Sequence, residues 1–249
     1  MLKEARHDFI LNEVRIRNRV LLSDIAGHLN VSEDTVRRDL KDLHQQGKLK
    51  KVHGGAVAKS FTPFTIHQED IYDHPNKEYI ARKAVSKIRS GMVVLISGGT
   101  TNLELVLQIP QELQATFFTP SLQVGLQLAQ LPNIETILVG GKISRGAQIS
   151  YGTDAIHTLL QIRADICFLG TGHLDAKAGL TEFDWEVVQM KRAMIRAARE
   201  IISLTLSAKI DSVQRYQVCT TKEINTLVTE LDPGNTMLAE FKKQGMEIL

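Results

Sequence analysis

Arg37, Arg38 and Lys41 fall within five positions of one another, and Lys48, Lys50, Lys51 and His53 crowd into the turn region just beyond them. Val36, Leu40 and Leu43 interleave with the first group at helical spacing, which gives one buried stripe and sets the cations on or beside the opposite face. The chemistry open to such a face is the binding of a polyanion. Arginine suits bidentate contact with guanine as well as with phosphates, and a cationic hairpin next to the helix suits a phosphate backbone. Ser32 is placed as the N-cap of this helix, with Glu33 and Asp34 in the first turn where the helix dipole favours negative charge. Gly47 is its expected C-terminal stop.

A second set of residues points to a smaller anion. Ser97-Gly98-Gly99-Thr100-Thr101 follows an apolar run, Met92–Ile96, and opens a helical stretch. Glycines there leave backbone N–H groups unobstructed, two hydroxyls stand beside them, and a helix N-terminus favours negative charge. No Walker lysine and no GxGxxG accompany it, so a nucleotide is not the expected ligand. Gly140-Gly141-Lys142 and Gly170-Thr171-Gly172 also end apolar runs. In open α/β sheets ligands gather at the carboxyl ends of strands, so the three turns are candidates for one pocket. Lys142, Lys191 and Lys209 are candidate cations for it.

The elements that must position these groups can be read in order. Phe9, Ile10 and Val14 give a first helix from Leu2 to about Val14. Val20-Leu21-Leu22 reads as a short strand or as the lead into the next helix. Ser23 is the expected cap of a helix ending near Leu29, and Asn30-Val31 makes the brief turn before the Ser32 helix. Two helices joined by so short a turn, the second carrying outward cations, follow the helix-turn-helix plan. Residues 1–57 are therefore expected to form one domain. Residues 58–76 lose helical periodicity and contain Pro63 and Pro75, which marks a linker. From 77 to 249 apolar strands alternate with helices, the pattern of a mostly parallel sheet covered on both faces. Helices are expected at Tyr79–Ile88, Leu103–Leu107, Leu122–Leu131, Tyr151–Gln161, Trp185–Arg199 and Met237–Lys243.

Charge supports the division. Residues 1–60 carry 12 Lys/Arg against 8 Asp/Glu, and the rest of the 249-residue chain carries 18 against 20. A basic head on a slightly acidic body places the polyanion at the head. No run approaches the roughly 20 apolar residues of a membrane span and the charged start is no signal peptide. Cys167 and Cys219 lie in apolar runs without metal-ligand spacing and read as buried reduced thiols, which fits the cytoplasm. No cofactor or metal is expected from the sequence.

Val31-Ser32-Glu33-Asp34-Thr35-Val36-Arg37-Arg38-Asp39-Leu40, followed by Leu43, Gly47 and His53-Gly54-Gly55-Ala56, resembles the winged helix-turn-helix signature of the DeoR family of bacterial transcriptional regulators. The resemblance implies that the Ser32 helix enters the major groove and that Lys48–Ala58 is the wing. Ser32, Thr35, Arg37, Arg38 and Lys41, with wing residues Lys48, Lys50, Lys51 and His53, are then the candidate contacts to double-stranded operator DNA. Asp39 is expected to pair with an arginine instead. Downstream, the Ser97–Thr101 turn, Gly140-Gly141-Lys142, Tyr151-Gly152, Asp165, Phe168, Gly170, Gly179-Leu180-Thr181, Glu186 and Lys191 follow the order of the family's C-terminal sensor. That half of the resemblance implies an α/β fold similar to ribose-5-phosphate isomerase, used as a receptor for a phosphorylated sugar or related metabolite. Its candidate contacts are Ser97, Gly98, Gly99, Thr100, Thr101, Gly140, Gly141, Lys142, Gly170 and Lys191. Two departures stand out. Thr119-Pro120-Ser121 replaces the usual Thr-Asn-Ser, removing a side-chain amide and a backbone donor. Leu206 replaces the acid ahead of Ser207-Ala208-Lys209, removing an acidic partner from Lys209.

The expected function is a DNA-binding regulator, a repressor of a sugar-metabolism operon whose operator binding responds to the sugar phosphate. Half-site reading by a helix-turn-helix implies a homodimer or homotetramer. The alternative is a sugar-phosphate isomerase with a DNA-binding appendage, for which Asp165, Asp184 and Glu186 are candidate bases, although a structural or capping role suits each.

Overall fold

Ile10, Val14, Val36, Leu40 and Leu43 share one buried cluster, and around it the first part of the chain is assembled. They come from helix α1 (Lys3–Arg17) and helix α3 (Glu33–Gln45), between which lie strand β1 (Arg19–Leu21) and helix α2 (Leu22–Leu29). The computed structural model describes residues 2–17, 19–58, 72–144 and 146–249, and it divides into one unit over Met1–His74 and another over Pro75–Leu249. Residues 59–71 of the expected linker lie outside the described residues. His74, Pro75 and Asn76 are not linker: they form the first turn of helix α4 (His74–Val85), where proline's missing N–H costs nothing.

Each boundary around the helix-turn-helix has a local cause. α2 ends on Asn30 in the left-handed region, φ 50°. The Asn30 N–H donates to Gly27 O and the Val31 N–H to Ala26 O, so the last carbonyls are satisfied within a tight turn. α3 starts at Ser32, whose Oγ accepts from the Thr35 N–H at 3.3 Å. It stops at Gly47, φ 65°, with the N–H groups of Gly47 and Lys48 returning to His44 O and Leu43 O, both at 2.9 Å. One expectation fails. Ser23 does not cap α2, which begins at Leu22 with no side-chain cap. The Leu22 N–H is already taken by Gly54 O at 2.8 Å, so tertiary pairing delivers the chain into the helix early, and the Ser23 hydroxyl turns to Asp24.

Behind α3, strands β2 (Lys50–Val52) and β3 (Gly55–Val57) pair antiparallel around His53-Gly54, and β1 pairs with the other edge of β3. The two glycines differ in purpose. Gly54 has φ 76° in open space, whereas a Cβ on Gly55 would collide with the Val20 carbonyl. Gly54→Ala should therefore cost about 1 kcal/mol of left-handed strain. Gly55→Ala should cost more, about 1–3 kcal/mol, because β1 and β3 must separate. Thermal unfolding of the two variants checks the order; equal melting temperatures would contradict it.

The second unit is built on strands β4 (Val93–Ile96), β5 (Ala115–Thr119), β6 (Ile134–Leu138), β9 (Ala164–Gly170), β12 (Ala198–Leu204), β14 (Thr226–Val228) and β15 (Glu247–Ile248). Interspersed are helices α5 (Thr100–Leu107), α6 (Leu122–Leu128), α7 (Thr153–Leu160), α8 (Trp185–Ala197) and α9 (Ala239–Lys243), with strands β7 (Lys142–Ile143), β8 (Ser150–Tyr151), β10 (His173–Asp175), β11 (Gly179–Glu182) and β13 (Tyr216–Cys219). The main sheet runs β15-β14-β12-β9-β4-β5-β6, and every neighbouring pair is parallel. Val94, Leu95, Ile96, Cys167 and Phe168 in the middle strands are wholly buried, as a sheet covered on both faces requires. The expected two-part organisation, a helix-turn-helix head and a parallel α/β body, is the one found.

Two features depart from the sequence reading. Tyr151 belongs to β8, not to the following helix, because Gly152 at φ 113° turns the chain before α7 begins at Thr153. An antiparallel sheet, β10-β11-β13, lies beside the main one, with Leu174 opposite Leu180 and Leu180 opposite Cys219. Cys167 and Cys219 are buried and unlinked, and burial pushes both thiols up, Cys219 to about 12. Among the described residues no helix is long and apolar enough to cross a membrane.

Candidate functional site

On α3 the buried stripe of Val36, Leu40 and Leu43 fixes what faces outward. At 100° per residue, Asp34, Arg38, Lys41 and Gln45 form the outermost row, Glu33 and Arg37 flank it on one side, and Thr35 and Asp42 on the other. Arg38 and Lys41 are exposed and form no ion pair among the described residues. Arg37 is exposed and pairs with Asp34 one turn back. Such a surface pair is of small worth and exchanges readily for a phosphate. Ser32 and Thr35 bond to each other, Oγ to Oγ1 at 2.9 Å, so their first task is to shape the helix start.

The wing stands on the Arg37 side. A concavity of about 400 Å³ lies between them, lined by Glu33, Arg37, Lys51 and His53 among others. Lys48, Lys50 and His53 are exposed and Lys51 is half-buried. Asp39, expected to be structural, is buried and pairs with Arg6 of α1 at 2.7 and 3.1 Å and with His7 Nε2 at 3.1 Å. The sequence offered no signal that the partner arginine would come from α1.

In the second unit the ends of parallel strands bring part of the candidate set together. The Ser97 hydroxyl accepts from the Gly170 N–H at 2.8 Å, and a Cβ on Gly170 would stand 2.6 Å from Gly98 O. Lys191 donates to Gly170 O at 2.6 Å and pairs with Glu182. Ser97, Gly98, Gly170 and Lys191 thus meet at the carboxyl ends of β4 and β9. Asn102 pins this turn, its Nδ2 donating to Ser97 O, Ser97 Oγ and Gly98 O. α5 begins with Gly99 at φ 113° and no side-chain cap, so its first N–H groups are directed past the strand ends. Thr100 and Thr101 are buried in its first turn, while Gly98 and Gly99 are the partly exposed members of the loop.

The third turn joins more loosely. A Cβ on Gly141 would meet Tyr151 O at 2.6 Å, and one on Gly98 would touch Ser121 Oγ and Ile149 Cγ2 at 3.3 and 3.4 Å. The stretch from Ile149 to Tyr151 therefore stands between Gly98 and Gly141. Lys142 is exposed on strand β7, paired in register with Tyr151. Pro120, which costs a donor, still supplies its carbonyl to the Ser150 N–H at 2.8 Å.

Lys209 also reaches this strand end. Despite Leu206, its Nζ reaches Thr171 O at 2.7 Å, one residue beyond the carbonyl that Lys191 holds, and both lysines are over nine-tenths buried. A carboxylate does stand by this turn: Glu230 accepts the Ser207 N–H at 2.9 Å. Thr171, Ser203 and Thr205 complete a buried ring of hydroxyls. Lys191 and Lys209 thus bring two buried ammonium groups to this strand end, where Lys191 pairs with Glu182.

Two of the three candidate bases hold backbone N–H groups. Asp165 Oδ2 accepts the Val93 N–H at 2.9 Å, which ties β9 to β4. Asp184 caps α8 through the Glu186 N–H at 3.1 Å, and Glu186 is exposed in the first turn of that helix.

Comparison with known proteins agrees with this division. A model described as the DeoR-like helix-turn-helix domain matches residues 6–62, and one described as the DeoR C terminal sensor domain matches residues 73–231. The chain is 26% identical to the HTH-type transcriptional regulator GolR of Listeria innocua serovar 6a, over 100% of this chain and 98% of that protein. It is 29% identical to the HTH-type transcriptional repressor GlcR of Bacillus subtilis, over 100% and 96%. It is 28% identical to the glycerol-3-phosphate regulon repressor of Escherichia coli, over 94% and 93%. Among solved structures it is similar to ribose 5-phosphate isomerase A from Methanocaldococcus jannaschii, at 18% identity and a TM-score of 0.40 over 54% of this chain and 53% of that one, a likeness too slight to say anything of chemistry. With the helix-turn-helix and sensor models matched in succession over the two structural units, the chain belongs to the DeoR family of DNA-binding transcriptional regulators.

Proposed function

We propose that the protein is a repressor of a sugar-metabolism operon, that a phosphorylated sugar or related metabolite sets its operator affinity, and that it binds DNA as a homo-oligomer. The observation that carries the effector class is the strand-end cluster of Gly98, Gly99 and the uncapped start of α5 beside Lys191 and Lys209. Backbone N–H groups at a helix start and buried ammonium groups are what a phosphate monoester requires. The relatives, a glycerol-3-phosphate regulon repressor among them, support the same class. An isomerase would need a carboxylate beside a substrate C–H bond; Asp165 and Asp184 already hold backbone N–H groups, and Glu186 stands exposed in the first turn of α8.

A thermal-shift screen of phosphorylated sugars beside their unphosphorylated parents tests the reading. A ligand of the folded state at 100 times its Kd stabilises by about 2.7 kcal/mol, which raises the melting temperature. The expected result is a rise with at least one phosphorylated sugar and none with its parent. A rise with an unphosphorylated sugar alone would contradict the phosphate reading. Arg38→Ala is expected to keep that rise while weakening DNA binding by roughly 1–3 kcal/mol for each half-site engaged. Loss of both in a folded variant would refute the division of labour.

A further inference from the structure

α3 is flanked by a second concavity, on the side away from the wing, of about 410 Å³ and lined by Lys3, Arg6, Thr35, Arg38, Asp39, Lys41, Asp42 and Gln45. Its far wall is the start of α1, an element that the sequence signature does not include. Within it Asp39 is buried and neutralised by Arg6. What remains facing solvent is Lys3, Arg38 and Lys41 against Asp42, so the cleft is cationic. Lys3 Nζ lies 2.6 Å from Asp42 Oδ2, and its side chain is 59% exposed. The Asp42 carboxyl is held below the usual carboxylate range by that hydrogen bond.

A helix with its side chains is about 10–12 Å across, and the major groove is about 12 Å wide. A helix lying in the groove therefore has a phosphate backbone on each flank. On one flank of α3 the wing offers Lys51 and His53 beside Arg37. On the other flank, among the described residues that line the cleft, the exposed cation from outside α3 is Lys3. The two concavities are nearly equal in volume, about 400 and 410 Å³, and each pairs cations of α3 with cations of another element.

We propose that the cleft between α1 and α3 is a second phosphate-backbone site, in which Lys3, with Arg38 and Lys41, grips the DNA strand opposite the one met by the wing. Asp42 acts there as a placeholder: it holds Lys3 over the cleft in the free protein and gives it up when a phosphate arrives. An exposed pair has little to lose in that exchange. The contact is to the backbone, so it strengthens binding to any sequence and fixes how α3 sits in the groove without reading bases. The inference rests on α3 being the groove helix.

The test uses the full chain and a random-sequence DNA duplex, with affinity measured across a range of salt. Lys3→Gln is expected to weaken binding several-fold and to lower the slope of log affinity against log salt by about one per protomer. Asp42→Asn is expected to strengthen binding, because it removes a negative charge facing phosphate and frees Lys3. A merely structural pair would give the opposite pattern for Asp42→Asn, weaker binding with a lower melting temperature, and that result overturns the proposal. So does an unchanged salt slope in Lys3→Gln. Arg37→Ala, on the wing side of α3 and outside the cleft, separates the two claims in parallel. If it weakens binding while both other variants behave as wild type, the cleft alone is wrong. If it too behaves as wild type, the placement of α3 in the groove is wrong.

Discussion

Asp39→Ala is expected to melt the helix-turn-helix head well below the wild-type temperature and to abolish DNA binding, leaving the unfolding of the sensor unit unchanged. Asp39 is 2% exposed and holds Arg6 through two hydrogen bonds and His7 through a third. Alanine takes the carboxylate away from a guanidinium whose side chain is only 14% exposed. Removing one partner of a buried pair costs about 3–5 kcal/mol, and the residual exposure of Arg6 places this case near the lower end. For a domain with so small a core, that is a large share of its stability. α1 would lose its buried polar anchor on α3 and hold through Ile10 and Val14, with Phe9, Leu11 and the exposed Lys3–Asp42 pair beside them. Asp39→Asn keeps the shape and a carbonyl acceptor and should cost less. Calorimetry shows whether one of two transitions moves; identical thermograms for wild type and Asp39→Ala would refute the anchoring role.

Lys191→Met is expected to destabilise the sensor unit by about 3–5 kcal/mol and to eliminate its response to sugar phosphates. Glu182 is 7% exposed and pairs with Lys191, so the substitution leaves a buried carboxylate without its cation. A stability loss alone would not distinguish a scaffold lysine from an effector contact. The double variant Glu182→Gln with Lys191→Met does. It removes both charges together, so the two effects on stability should be strongly non-additive and the double variant should recover most of the loss. The proposed effector role predicts that it still gives no thermal shift with the sugar phosphate that stabilises wild type. A restored shift would make Lys191 purely structural.

What could be read along the chain was whatever local spacing encodes. α3 is specified by Ser32 at its start, Val36, Leu40 and Leu43 along one face, and Gly47 at its end, all within sixteen positions. The central strands announce themselves as the unbroken apolar runs Val93–Ile96 and Ile166–Leu169. Where pairing decides, spacing misleads. α2 starts at Leu22 because β1 is tied to β3 more than thirty residues later, which no cap signal at Ser23 can reveal. β10, β11 and β13 are three or four residues each, and β13 is separated from β11 by a whole helix and strand.

The same split runs through the sites. Arg38 and the glycine turns were visible as motifs. Lys3 shares a cleft with residues nearly forty positions away, and Glu182 and Lys209 meet the strand end only through the fold. The change to Leu206 weakened the case for Lys209 in the sequence, yet its Nζ still reaches the Thr171 carbonyl. Lys142 follows directly on Gly140-Gly141 in the sequence, and it stands on an exposed strand.

The central claim is that one molecule couples a sensor pocket to a DNA-reading helix. It is tested most directly by measuring the affinity for a DNA site selected by the protein itself, at fixed salt, with and without a sugar phosphate that raises the melting temperature. Coupling of the usual size predicts a change of about 5–150-fold, and a change by the same factor in sugar-phosphate affinity when DNA is saturating. An effector that saturates the protein and leaves its DNA affinity unaltered would contradict the account.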